Sequence, residues 1–275
     1  MTKRRNRPYR LLARFYGKLV GDFAAGMTRH ARGQILRRHW SRIASACDVG
    51  CGNGATAVDL AQRGLAVDAL DFSPTFVRAA RARARAAGVR VRARVADMKS
   101  FRLRAPVDLV LCEFSALNHC ERRGDLARVF AAVARALKPG GLFLFDVDTP
   151  QSLAKNYAQT FFAELPGCRM VQRGTLEDGG RRARLDFDWF VAVGARGRAA
   201  TLYRHSHDVL WNSCWSEAEL RRALRAAGLR TIATFDGLDV RPPIPGATRG
   251  NDFYVLAQKP GRGRLTGGTA ARSRA

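Results

Sequence analysis

A glycine-rich turn follows the first short apolar segment of the chain, with the sequence Cys47-Asp48-Val49-Gly50-Cys51-Gly52-Asn53-Gly54. Glycines there allow a tight bend and let a ligand approach the backbone with no Cβ in the way. Dinucleotide-binding turns have the spacing G-x-G-x-x-G. Here the glycines run G-x-G-x-G, and Ala55 stands where that motif has its third glycine. The carboxylate of Asp48 would repel a pyrophosphate, so the turn favours a ligand with positive charge, such as a sulfonium and an α-amino group.

Two acidic residues follow the next two predicted strands. Asp71 lies 17 positions after Gly54, where a carboxylate can accept hydrogen bonds from the ribose hydroxyls of an adenosine ligand. Phe72 beside it can pack on an adenine face. Asp97 can accept from the exocyclic amine of adenine while Met98 packs on the ring. These residues predict a site for an adenosine-containing ligand, although each acid taken alone also fits a loop or a helix cap.

The segment after the fourth predicted strand carries a carboxylate, an amide and an imidazole. It reads Glu113-Phe114-Ser115-Ala116-Leu117-Asn118-His119-Cys120. We expect Glu113 at the ligand site. His119 is a candidate general base or a residue that orients an acceptor, and a purely structural histidine is the alternative.

Short apolar segments alternate with amphipathic segments over most of the chain. We predict strands at 47–49, 66–70, 89–95, 107–112, 142–147, 229–235 and 252–258. We predict helices at 1–44, 55–63, 74–87, 125–137 and 216–227, with Ser73 and Ser216 as N-caps. The alternation predicts an α/β fold with a doubly wound, mostly parallel sheet. Such a sheet brings the carboxyl ends of its strands, and the residues that follow them, to one edge.

The alternation stops between residues 149 and 213. Apolar side chains there recur at every second position, at Leu185, Phe187, Trp189, Val191 and Val193. A second such segment, 202–210, follows a Gly-Arg break, and together they predict an antiparallel β-rich insert with one apolar face. The Lys-Pro-Gly-Gly sequence at 138–141 predicts a sharp turn. Almost no apolar side chain occurs at 260–275, which predicts a disordered basic tail.

The composition narrows the class of protein. The chain has 275 residues, no stretch of about 18 uninterrupted apolar residues and no secretory leader, so we expect a cytoplasmic protein without a membrane segment. Its six cysteines form no C-x-x-C pair, which favours free buried thiols over a metal site. The net charge of +25 comes mainly from arginines among alanines. That pattern is typical of solvated helix faces, and a surface that binds nucleic acid is the alternative.

Four of these motifs, in this order, resemble those of the Rossmann-like S-adenosylmethionine-dependent methyltransferases. The similar segments are the glycine turn at 48–54, the ribose-binding acid at 71–74, the adenine contact at 96–98 and the turn at 137–141. The resemblance covers residues 45–148 and resumes at 215–259. It implies a seven-stranded sheet with an antiparallel last strand and S-adenosylmethionine as cofactor. The implied cofactor-binding residues are Asp48, Gly50, Cys51, Gly52, Asp71, Phe72, Asp97, Met98 and Glu113.

The resemblance also suggests how the chain is divided. Residues 1–44 would form a helical lid, and 45–259 the methyltransferase domain with a substrate-facing insert at about 149–213. The N-terminal segment, with Tyr9 and Tyr16, is similar to branches that act on small molecules. In those branches a tyrosine followed by Asp often closes over the cofactor, and Gly17 follows Tyr16 here.

The expected reaction is methyl transfer to nitrogen or oxygen of a small-molecule acceptor. A methyltransferase for RNA or protein that uses the basic surface, and a non-catalytic cofactor-binding protein, are the alternatives. We expect the acceptor pocket to be lined by aromatic and histidine side chains of the insert and the residues after it, namely Tyr203, His205, His207, Trp211 and Trp215. The alternative is that these are aromatic residues that pack within the sheet and histidines on its surface.

Overall fold

The computed structural model describes residues 9–19, 23–193, 202–237 and 252–261. The helices are α1 (Arg10–Leu19), α2 (Phe23–Ile35), α3 (Ala55–Gln62), α4 (Pro74–Ala86), α5 (Arg123–Ala136), α6 (Pro150–Tyr157) and α7 (Glu217–Ala226). The strands are β1 (Ser45–Val49), β2 (Ala66–Asp71), β3 (Val91–Val95), β4 (Val107–Cys112), β5 (Leu137–Asp148), β6 (Thr160–Leu165), β7 (Cys168–Glu177), β8 (Arg182–Val193), β9 (Leu202–Ser213), β10 (Arg230–Asp236) and β11 (Asp252–Gln258). The prolines at 242–245 and all but two residues of the predicted tail lie outside the described residues.

Seven strands form the main sheet in the order β10-β11-β5-β4-β1-β2-β3. The pairs from β5 to β3 are parallel, and β11 runs antiparallel to both of its neighbours. The predicted doubly wound α/β fold with an antiparallel last strand is therefore confirmed. Strands β1 and β4 are almost fully buried, as expected for apolar strands covered on both faces.

Helices cover both faces of this sheet. On one face α5 and α7 pack through a core that contains Phe130, Phe143 and Phe145. On the other face α2, α3 and α4 cover residues such as Leu109 and Leu144. The predicted N-cap of α4 is present, and the predicted capping box of α7 is formed in full.

The predicted helix over 1–44 and the turn at 138–141 differ from the structure. Within the described residues the N-terminal segment contains α1, α2 and a short 3-10 helix at Trp40–Arg42, and a turn at 36–39 ends α2 before residue 44. The Lys-Pro-Gly-Gly segment lies inside β5 as an irregular strand start, because Leu137 already pairs with Val107 before the register shifts. Gly140 provides the positive φ of 81° that this irregularity requires.

The insert begins with α6, which the sequence pattern did not indicate, and continues as an antiparallel sheet in the order β6-β7-β8-β9. One face of this sheet packs against α1, where Phe15 stacks on Trp189 with 6.0 Å between ring centroids. The insert therefore holds α1 in place over the cavity described below.

All six cysteines are buried and free. Over the described ranges, no cluster of His, Cys, Asp or Glu could hold a metal ion. In the same part of the chain, no helix combines the length and apolar character that a bilayer span requires.

Candidate active site

The glycine turn is held against the end of β2. The backbone N–H groups of Gly50 and Cys51 donate to the carbonyl of Leu70 at 2.8 and 2.9 Å. Gly54 has a φ of +80°, and a Cβ at that position would lie 2.7 Å from the Cβ of Ala80. The turn therefore requires glycine both for its conformation and for the close approach of α4.

Asp71 joins the glycine turn to the start of α4. One of its carboxylate oxygens, Oδ2, accepts from Gly52 N at 3.0 Å, and Oδ1 accepts from Ser73 N at 2.8 Å. Burial raises the pKa of Asp71, while the two backbone N–H groups act to lower it. Phe72 beside it is 61% exposed and lines the large cavity described below. Both oxygens of Asp71 therefore accept backbone hydrogen bonds where its carboxylate lines the same cavity.

Asp48 is a buried carboxylate at the base of the turn. Burial and the nearby Glu113 together raise its pKa to about 7, against the opposing effect of Arg32. Its Oδ2 atom is buried and has no hydrogen-bond partner among the described residues. A carboxylate in this state favours a ligand that brings positive charge and N–H donors.

Glu113 and Arg32 form a buried ion pair at the end of β4. Arg32 Nη1 lies 2.5 Å from Glu113 Oε2, and Arg32 Nη2 lies 2.8 Å from Asp59 Oδ2. Thr56 Oγ1 also donates to Glu113 at 3.3 Å. The second oxygen of Glu113, Oε1, has no partner within the described part of the chain. Burial raises the pKa of Glu113 although Arg32 opposes it.

Arg32 was not identified from the sequence. Its position on the buried side of α2 could have revealed it, because Ala31, Ile35 and Leu36 around it are also buried. An arginine among such residues needs a carboxylate partner.

Of the predicted adenine contacts Asp97 and Met98, only Met98 lines the cavity. Asp97 Oδ1 accepts from Lys99 N at 2.8 Å and so caps its own turn. The structure thus brings Gly50, Gly52, Asp71, Phe72, Met98 and Glu113 together around one cavity. Asp48 and Cys51 line a smaller pocket that shares Gly50, Gly52 and Glu113 with it, and Asp97 lines neither.

These residues fit the cofactor that the sequence resemblance implies. Two buried acceptor atoms, Asp48 Oδ2 and Glu113 Oε1, are left for the positive charge and the amino group of S-adenosylmethionine. The glycines of the turn carry no Cβ, so the ligand can approach the backbone closely. Asp71 and Phe72 offer the ribose and adenine contacts.

A cavity of about 350 Å³ extends from the glycine turn to the inner face of the insert sheet. Helix α1 covers it through Tyr9, Leu12, Tyr16 and Leu19. The far end is mainly apolar, with lining residues Phe161, Met170, Gln172, Leu185, Phe187, Leu210 and Asn212. The Oδ1 atom of Asn212 is buried without a hydrogen-bond partner in the described ranges, so it can accept from a bound molecule.

His119 lies between the two ends of the cavity. Its Nδ1 is 3.2 Å from the carbonyl oxygen of Trp211. Because a carbonyl only accepts, Nδ1 carries the proton and the neutral ring keeps Nε2 as an acceptor. Burial lowers the pKa of His119, which favours this neutral form. The edge of the ring contacts Tyr9 at 5.5 Å between centroids.

The residues of β9 that were predicted to line the acceptor pocket lie on the face of the strand that points away from the cavity. Leu210 and Asn212 face the cavity, so Tyr203, His205, His207 and Trp211 lie on the opposite face of the strand. His205 and His207 pair there with Asp188 at 2.7 and 3.1 Å. Trp215 is buried in the core beneath α7. That prediction is therefore wrong for the whole group.

Comparison with known proteins agrees with this site. The family model described as a methyltransferase domain matches residues 46–141. The chain is 32% identical to a ubiquinone biosynthesis O-methyltransferase from Methylobacterium sp. (strain 4-46), over 92% of this chain and 88% of that protein. It is 26% identical to dTDP-3-amino-3,6-dideoxy-alpha-D-glucopyranose N,N-dimethyltransferase from Streptomyces fradiae, over 71% and 73%.

The chain is also similar to a solved structure that contains S-adenosylmethionine. The S-adenosylmethionine complex of CalS10, an amino pentose methyltransferase from Micromonospora echinaspora, superposes with a TM-score of 0.61. The two chains are 25% identical, and the match covers 91% of this chain and 96% of that one. The chain therefore belongs to the Rossmann-like S-adenosylmethionine-dependent methyltransferases and is an enzyme that uses S-adenosylmethionine.

Proposed function

We propose that the enzyme methylates a nitrogen or oxygen atom of a small molecule held between the glycine turn and the insert sheet. One observation carries this proposal: residues of both regions line a single covered cavity of about 350 Å³. Relatives named as an amino-sugar N,N-dimethyltransferase and a ubiquinone biosynthesis O-methyltransferase support both kinds of acceptor atom.

The proposal assigns a role to each part of the chain. Residues 1–44 act as the lid, since α1 covers the cavity. Residues 45–259 form the catalytic domain, and the insert at about 149–213 supplies the apolar acceptor end. Within the donor end, Asp48 and Glu113 face the positive charge, Asp71 the ribose, and Phe72 and Met98 the adenine. Asp97 stays a candidate for the adenine amine, with Gly50, Cys51 and Gly52 shaping the backbone contact.

When bound, S-adenosylmethionine supplies a methyl group already activated by the sulfonium charge. The protein therefore contributes mainly position and alignment, which can lower a barrier by roughly 7–11 kcal/mol in favourable cases. An acceptor hydroxyl or ammonium group would have to lose a proton for this transfer, whereas a neutral amine would not. We assign the acceptance of such a proton to Nε2 of neutral His119, which lines the cavity and whose Nδ1 faces the carbonyl of Trp211.

The residues that line the cavity also restrict the chemical class of acceptor that can bind there. No described lysine or arginine lines it, so nothing there favours a phosphate group. The apolar wall and the unpartnered Asn212 oxygen favour a largely apolar acceptor that donates one hydrogen bond.

An RNA or protein acceptor is the competing candidate, favoured by the net charge of +25. The covered, uncharged acceptor end speaks against a polyanionic substrate. Nucleic acid would have to bind outside the cavity and insert a single base.

The first test is calorimetric titration with S-adenosylmethionine and S-adenosylhomocysteine, with NAD as control. Both sulfur ligands should bind, and Asp71→Ala should weaken both at least about tenfold because hydrogen bonds to a charged group are lost. The second test measures S-adenosylhomocysteine formation with a panel of amino sugars, phenols and RNA. Turnover on RNA alone would contradict the proposal.

His119→Ala separates the proton-accepting role from cofactor binding. We expect slower turnover on a small-molecule acceptor and unchanged affinity for S-adenosylhomocysteine. Unchanged turnover would leave His119 a structural residue.

A further inference from the structure

A second cavity lies on the outer side of the lid helix. It has a volume of about 410 Å³ and is lined by residues of α1, α4, β8 and β9. Four arginines from three of these elements converge on it, namely Arg10, Arg14, Arg78 and Arg204. We call this cavity the arginine groove.

The arginine groove has an excess of positive charge. None of the four guanidinium groups forms an ion pair within 4.0 Å with a described carboxylate. Asp208, which interacts electrostatically with Arg10, is buried and does not line the groove. The two undescribed stretches that adjoin groove residues in the sequence, 1–8 and 194–201, contain no Asp or Glu.

The other lining groups fit a small oxyanion. Thr75 and Ser206 bring hydroxyl groups to the groove, while Leu11, Val191 and Val193 form its apolar part. Guanidinium groups bind phosphate oxygens through two parallel N–H donors, and several around one site favour a doubly charged group.

We propose that the arginine groove is a binding site for a phosphate or diphosphate group, separate from the cavity where methyl transfer occurs. Because α1 lies between the two cavities, an anion bound in the groove would affect the catalytic cavity as well. Tyr9, Leu12 and Tyr16 of this segment line the catalytic cavity, whereas Arg10 and Arg14 line the groove. An anion that bridges these arginines to Arg78 on α4 and Arg204 on β9 holds the lid closed. Its binding therefore strengthens cofactor binding, and the reverse follows by linkage.

The test uses the full chain and inorganic diphosphate as the probe, at constant ionic strength. Calorimetry should show one site per chain, with phosphate binding more weakly than diphosphate. Arg78→Gln with Arg204→Gln should reduce the affinity at least about tenfold, since each loses a hydrogen bond to a charged group. Arg222→Gln, on the exposed face of α7, is the matched control and should bind as the wild type does.

A second measurement tests the coupling to the lid. Saturating diphosphate should tighten S-adenosylhomocysteine binding several-fold in the wild type and not in the double variant. Equal affinity for diphosphate and a nucleoside diphosphate assigns the site to the phosphoryl group alone. Tighter binding of the nucleoside diphosphate assigns it to a nucleotide-bearing ligand.

Three results would overturn the proposal. They are several weak sites per chain, an equal loss of affinity in Arg222→Gln, and competition between diphosphate and S-adenosylhomocysteine. Binding of single-stranded RNA can also be measured. If the double variant and Arg222→Gln weaken it equally, the arginines belong to a diffuse basic surface and not to a specific site. Without diphosphate, S-adenosylhomocysteine should bind to the wild type and the double variant alike, so these outcomes are separate from a failure of the proposed methyl transfer.

Discussion

Asp48 should make cofactor affinity depend on pH. In the ligand-free protein, burial and the neighbouring Glu113 and Asp71 raise its pKa to about 7, against the opposing effect of Arg32 and the N–H of Ala57. A cationic ligand favours the ionised carboxylate. Below pH 7, binding must therefore be accompanied by release of a proton from Asp48, and affinity must rise as the pH rises.

The size of the effect follows from the shifted pKa. At pH 6, about one pH unit below it, only about a tenth of the Asp48 groups are ionised, so binding should be about tenfold weaker than at the plateau, or about 1.4 kcal/mol. About 0.9 proton should be released on binding at pH 6 and about half a proton at pH 7.

The assay is calorimetric titration between pH 5.5 and 7.5, in pairs of buffers with different ionisation enthalpies. The upper limit avoids the ligand's own α-amino group, which titrates near pH 8 in model compounds. Comparison of S-adenosylmethionine with S-adenosylhomocysteine identifies the cation that Asp48 faces. Both ligands release the proton if it faces the amino group, and only the first does if it faces the sulfonium.

Asp48→Asn is the matched variant because it keeps the shape of the side chain and removes the titration. Its affinity should be weak and nearly constant across this range. A wild-type affinity that stays flat from pH 5.5 to 7.5, or the same slope in the variant, would refute the assignment of the proton to Asp48.

Four further predictions concern stability and the placement of side chains. Asp48→Asn should raise the free energy of unfolding at pH 8 by up to about 4 kcal/mol and change it little at pH 4, because the wild type must ionise a buried acid as the pH rises from about 4 to 7. Arg32→Leu should lower it by about 3–5 kcal/mol, since the buried carboxylate of Glu113 loses its cationic partner. Gly54→Ala should destabilise the fold and weaken cofactor binding, because its Cβ would meet Ala80. His207→Ala should leave turnover unchanged, since it lies on the outer face of the insert.

Matched controls distinguish these effects from general damage. Urea unfolding measures the first three, with Arg29→Leu as the control for Arg32, because Arg29 contacts Asp59 from an exposed position. Gly64→Ala shares the positive φ of Gly54 but meets no atom within 4 Å, so a smaller loss there isolates the clash with α4. Equal stability of Arg32→Leu and Arg29→Leu would contradict the buried-pair reasoning, and a large loss of turnover in His207→Ala would contradict the observed strand orientation.

The donor half of the site could be predicted from the sequence because it is specified locally. The glycine turn, Asp71 and Met98 each follow a short apolar strand, and parallel strands bring their carboxyl ends to one edge. The element boundaries also follow from local signals, such as the capping box at Ser216. Helix α6 was missed although its local start signals are present, with Thr149 as N-cap and Pro150 at the first helical position.

The acceptor half depends on strand register, which the sequence pattern does not contain. The apolar alternation of β8 correctly identified the face of Leu185, Phe187 and Trp189. Which positions of β9 share that face depends on the pairing of Leu185 with Leu210, and a shift by one residue exchanges the two faces. The aromatic and histidine positions of β9 suggested the inner face, whereas the observed register places Asn212 there.

This difference between the two halves of the site has a chemical consequence. Backbone groups and glycines define much of the donor end, so few substitutions are compatible with binding the same cofactor. Side chains on one face of an inserted sheet define the acceptor end, and single substitutions at Met170, Gln172 or Asn212 would change its polarity while the sheet keeps its hydrogen bonds. The identity of the acceptor should therefore be sought through these three positions, because they alter what the cavity can bind without altering how the methyl donor is held.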